Sequence, residues 1–227
     1  MEPNHTTPRI PGLRRLATPR AAAWAGVVFA VLFGLSLVLV RLSIPADPFA
    51  EPNWIVEGSG RLRWAMALVP LSGIAFLWFI GVVRDRLGEF EDRFLASVFF
   101  GSGLLFLAMA FVSMAVAGGI LISASDAGSA YDPAVLRFAR AAMLQISNVY
   151  ALRMAAAFMI SLGTIWLRTG LMPRWLGGLT YALALVLLVV TTFSLWTALV
   201  FPAWVLLVSV VFLVWSFIAA PEGAPTG

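Results

Sequence analysis

Six side chains carry most of the chemistry this sequence offers: Arg63, Arg137, Arg140, Asn148, Tyr150 and Arg153. Arginine keeps its charge at any ordinary pH, and its planar fork matches phosphate and carboxylate oxygens. Arginines gathered beside an amide and a phenol therefore make a candidate anion site, for a lipid headgroup or a small acid. Arg61 and Gln145 are close enough in sequence to join it. Arg153 is the most unusual of the set, because it alone interrupts an otherwise uncharged run from 141 to 167. An ionisable residue in such a run is a functional-site candidate by default. The plainer reading pairs these arginines with Asp47, Glu51, Glu57, Asp126 and Asp132 and with ordinary lipid phosphates.

Other chemistries are thinly supplied. The chain has no cysteine and no lysine, which removes thiolate ligands, thiolate nucleophiles and Schiff-base chemistry. Its one histidine, His5, lies in a polar N-terminal tail. No HExxH or GxGxxG pattern occurs, and no Asp or Glu falls inside an apolar stretch. The acids of 84 to 93 (Asp85, Glu89, Glu91, Asp92) lack the spacing of a two-metal site and fit a self-paired loop or a docking surface. Ser72, Ser113, Ser161, Thr164, Thr191 and Thr192 can each bond back to a helix carbonyl. The expectation is a chain with no metal, no cofactor and no catalytic set.

Positioning these side chains falls to membrane helices. Hydrophobic residues make up 61% and charged residues 11%, with mean hydropathy +0.95, against a charged share of roughly 25% in soluble domains. The net charge of +4 comes from arginines flanking apolar runs, where they anchor helices, so nucleic acid is not an expected partner. A span needs about 20 apolar residues. The runs 21–42, 64–83, 95–121, 150–171, 175–196 and 201–219 give an all-α polytopic protein with six transmembrane helices. The last two are cut from one uncharged stretch, 175 to 221, by a turn near 197 to 202, with Pro202 in a first helical turn.

The domain plan is a cytoplasmic basic tail (1–20), a six-helix transmembrane domain (21–219) and a short cytoplasmic tail (220–227). Nine arginines would face the cytoplasm and five the outside, which predicts N-in, C-in. The tryptophans fall near span ends, as an interfacial belt would. Small residues offer helix contacts: Ser97 with Gly101, Gly103, Ser113 with Ala117, and Ala151 with Ala155. The proline-containing loop 43–60 is a connector or a lid over the outer site.

Sliding the chain by 90 residues places Leu62 and Arg63 on Leu152 and Arg153, with eight identities across 62 to 88. This parallel repeat predicts that Arg153 stands level with Arg63, at the outer boundary. Asp132 and Pro133 are a helix-start signal, so 133–150 reads as an outer amphipathic extension of the fourth helix. Its wheel puts Arg137, Arg140, Ser147 and Asn148 on one face, away from Leu136, Met143 and Ile146.

The stretches LRWAMALVPLSGIAFLWFIGVVRDRLGEFEDR (62 to 93) and RTGLMPRWLGGLTYALAL (168 to 185) resemble uncharacterised small six-span membrane proteins of high-GC actinobacteria. That resemblance implies a bacterial cytoplasmic membrane and a six-span count, and brings no activity or site residue. The functional expectation is a non-enzymatic accessory or lipid- or small-molecule-handling protein, whose partners are the bilayer and an anionic lipid or small anion. Alternatives are a carrier or channel for a small neutral or anionic solute, and a lipid-modifying enzyme.

Overall fold

The computed structural model describes residues 19–44, 53–87, 93–126, 132–170, 172–189 and 195–218. The two terminal tails, residues 45–52 of the loop 43–60 and residues 88–92 of the acidic segment 84–93 lie outside them. The described residues form seven α-helices: α1 (Pro19–Ser43), α2 (Asn53–Leu87), α3 (Arg93–Asp126), α4 (Pro133–Gln145), α5 (Leu152–Thr169), α6 (Arg174–Val189) and α7 (Val200–Ile218). A π-turn, Ile146–Ala151, joins α4 to α5, and a 3₁₀ turn, Leu195–Leu199, leads into α7.

This is an all-helical, multi-pass membrane architecture. Five helical stretches are long and apolar enough to cross a bilayer: Ala21–Ser43, Glu57–Arg84, Arg93–Ser123, Pro133–Thr169 and Trp196–Val214. The sixth apolar helix, α6, is described over 16 residues, about 24 Å, and the end of the expected span 175–196 falls largely in the undescribed 190–194. Pro202 sits in the first turn of α7, as expected.

α1 and α2 run antiparallel along much of their length. Ser36 Oγ donates to the Ala65 carbonyl at 3.1 Å. Seven residues further out, Gly58 lies so near Ser43 that a Cβ would come within 2.9 Å of the Ser43 carbonyl oxygen. α1 also packs on α7, α3 on α5, and α5 on α6. Where lipid is as apolar as the side chains, close packing must hold helices together, and here aromatic rings do much of it. Phe29, Phe76, Phe106, Phe158 and Phe201, from five different helices, interlock at the centre, with Phe106 and Phe201 centroids 4.6 Å apart and Phe76 and Phe158 5.4 Å apart.

Two sequence expectations need correction. Trp166 and Trp204 are core residues, each 1% exposed. The Trp204 indole N–H finds a buried acceptor in Thr180 Oγ1 at 2.9 Å, which lets an amphipathic ring sit inside. Trp24, Trp64, Trp78, Trp175 and Trp196 do face outward. Among the small residues, Gly103 meets Ile80 and Phe158, whereas Gly101 faces open space and Ser97 is exposed.

Candidate functional site

The site grows from the junction of α4 and α5. Asp132 caps α4, its carboxylate accepting from the Ala134 N–H at 2.8 Å, and Pro133 follows where no N–H is needed. Thirteen residues on, the helix widens into the π-turn, a geometry that recurs at functional sites. The Ile146 N–H is shared between the carbonyls of Ala142 and Met143. Ser113 of α3 donates to the same Met143 carbonyl at 3.0 Å. The turn is thereby tied to α3, and it directs Asn148 into the bundle while Tyr150 faces out.

Asn148 is 7% exposed and does not stand alone. Its Oδ1 accepts a 2.6 Å hydrogen bond from Nη2 of Arg41, at the end of α1. This short, charge-assisted contact links residues 107 positions apart. It uses only one arm of the fork: Nη1 of Arg41 is also buried and has no hydrogen-bond partner among the described residues. Arg140, two turns before Asn148, is buried as well, at 7% exposure.

Alongside lies a cavity of about 30 Å³, lined by residues that include Leu37, Val69, Phe106, Ser113, Ser147 and Ala198. It has the size of one water, but its two hydroxyls already donate to the carbonyls of Met143 and Leu144. Organic ligands usually occupy pockets ten times larger or more, so the cavity is a packing void beside the site.

The six residues singled out from sequence separate into two groups. Arg140 and Asn148 are buried; Arg63, Arg137, Tyr150 and Arg153 are exposed. The wheel for 133–150 needs the matching correction. Arg140 and Met143 are both buried while Arg137 is exposed, because α4 lays the 140–143 edge of its face against α3; the π-turn breaks the 100° period only beyond Gln145, before Asn148. α4 also shows apolar groups outside, with Phe138 75% and Val135 64% exposed.

The repeat-based placement of Arg153 also fails. Phe76 and Phe158 meet across the core on helices running in the same direction. Arg63 precedes Phe76 by thirteen residues and Arg153 precedes Phe158 by five. Arg153 is therefore displaced by eight residues, about 12 Å along the bundle, from the level of Arg63 toward that of Arg84. The identities reflect a composition rich in Leu, Ala, Gly and Arg, not a shared register.

Arg41 is the residue that sequence reasoning passed over. As the basic residue in the last turn of α1, it looks like any boundary cation, and only the fold brings it to Asn148. Among the described residues no three His, Cys, Asp or Glu side chains form a metal-binding group. Comparison with family models, with curated proteins and with solved structures finds no match.

Proposed function

We propose that this chain is a non-enzymatic, six-span protein of a bacterial cytoplasmic membrane, N-in and C-in, that binds a small anion or an anionic lipid headgroup at the outer end of its bundle. The observation that carries the reading is the half-used guanidinium of Arg41. One arm is fixed by Asn148 at 2.6 Å and the other is buried with no hydrogen-bond partner among the described residues. A buried donor on a cation costs free energy until an acceptor reaches it, and an anion supplies both the acceptor and the charge. The arginine distribution, nine against five, supports the orientation, and the resemblance of 62 to 93 and 168 to 185 to actinobacterial six-span proteins supports the span count and the membrane.

The carrier reading has less support, since the centre of the bundle is filled by interlocked phenylalanines. For the lipid-modifying reading, none of Ser72, Ser113 and Ser161 is paired with a base among the described residues. All three donate to backbone carbonyls, and Tyr150 faces outward.

Native mass spectrometry tests the proposal. Protein stripped of lipid is offered phosphatidylglycerol in one series and inorganic phosphate in the other. The wild type should retain one equivalent of at least one of them and Arg41→Met should retain none. Equal retention by both proteins would refute the site. The series that binds tells headgroup from free ion.

A further inference from the structure

Arg153 poses a problem of its own, independent of the Arg41 site. It is exposed on α5, within the span Pro133–Thr169. It lies about 12 Å inward of Arg63 by the Phe76–Phe158 register and fifteen residues, about 22 Å, from Arg168 on its own helix. Those distances put its Cα inside a hydrocarbon layer of about 30 Å, a depth only partly recovered when the side chain reaches toward headgroups. No hydrogen bond, ion pair or ring contact engages it among the described residues.

The face around it is not that of a lipid-facing helix. Tyr150, Arg153, Ala157, Ile160 and Thr164 follow one another at three- and four-residue steps and share one stripe. None of the five is buried. Further along, Thr164 Oγ1 donates to the Ile160 carbonyl at 2.7 Å and contacts the Tyr181 hydroxyl of α6 at 2.6 Å in an exposed position. Thr164 has spent its proton, so Tyr181 is the donor there and its own lone pairs face outward. A cation, a phenol and a hydroxyl pair thus line the outer face of an otherwise apolar belt. Such groups in spans pair with protein partners or line water.

We infer that this stripe of α5 is an interface for a transmembrane helix of a different protein, bearing an Asp or Glu at the level of Arg153. Charge complementarity selects that occupant. A second copy of this chain cannot supply the acid, because none of its eleven carboxylates lies inward of a span's end: Glu2, Asp47 and Glu51 precede the second span and Glu57 is its outermost residue, Asp85 to Asp92 follow it, Asp126 and Asp132 lie in the next connection, and Glu222 beyond the last. Ala157, one turn inward of Arg153, leaves room for a neighbouring backbone to approach.

The test uses the full chain in phosphatidylcholine vesicles with a labelled single-span Leu/Ala peptide, carrying one Asp about 12 Å below one end or Asn at the same place. Energy transfer from labelled protein reads association. The Asp peptide should associate roughly tenfold more tightly than the Asn peptide. Arg153→Leu should abolish that preference and Arg153→Lys should keep most of it. Equal association of both peptides with wild type would overturn the inference, as would a preference that survives Arg153→Leu. Self-association of the wild type through Ala157, undisturbed by the Asp peptide, would overturn it too. The elution profile and helical content of each variant are checked first, and the Lys variant guards against loss of fold.

Discussion

Two arginines, Arg41 on α1 and Arg153 on α5, show opposite solutions to one problem. Arg41, half-buried, turns inward at a helix end, where Asn148 grips one arm of its fork and the other arm is buried. Arg153 turns outward from within the span Pro133–Thr169, with no hydrogen bond, ion pair or ring contact to it among the described residues. In sequence their apparent value is reversed: Arg153 stands out as a charge within an apolar run, while Arg41 blends into the boundary. The contrast teaches that a charge in a membrane helix is interpreted by what faces it. Position along the chain is a weaker guide.

Breaking the inner site should give the largest effects. Asn148→Leu removes the acceptor and leaves the Arg41 guanidinium buried without it, which should cost about 2 to 3 kcal/mol, read from reversible unfolding in bicelles. Arg41→Met removes the cation instead and should cost less, about 1 kcal/mol, while abolishing anion retention. In the double variant the two losses should not add, and the cycle should return a coupling of about 1 to 2 kcal/mol. The outer arginine should respond differently. Arg153→Leu should leave unfolding in detergent within about 0.5 kcal/mol of wild type, yet remove the peptide association described above. Smallest of all, Arg63→Ala and Arg137→Ala should each change stability by less than about 0.5 kcal/mol and leave anion retention intact.

Much of the architecture is legible in the sequence because it follows from local patterns. Uncharged runs with boundary arginines mark the helices, Asp132 and Pro133 mark the start of α4, and Pro202 marks the entry to α7. What is not legible depends on register between helices. The π-turn at Ile146–Ala151 has no composition signal, so a 100° wheel does not carry through it to Asn148, and the burial of Arg140 beside exposed Arg137 is set by how α4 meets α3. The 90-residue alignment matched Arg63 to Arg153, but the ring contact between Phe76 and Phe158 sets their levels eight residues apart. Trp166 and Trp204 have the look of interfacial anchors, and only the proximity of Thr180 to Trp204 explains how one indole N–H is satisfied inside. In the candidate site, Arg140 and Asn148 are visible as polar residues near a span, whereas Arg41, the partner of Asn148, comes from another helix, 107 residues away.

The central claim is that the anion-binding arginine is Arg41 and not Arg153. Binding isotherms of Arg41→Met and Arg153→Leu, titrated side by side in one detergent with whichever of phosphatidylglycerol or inorganic phosphate the wild type retains, test it most directly. The account predicts that Arg41→Met loses saturable binding while Arg153→Leu keeps the wild-type affinity. Loss of binding in Arg153→Leu with Arg41→Met unaffected would contradict it.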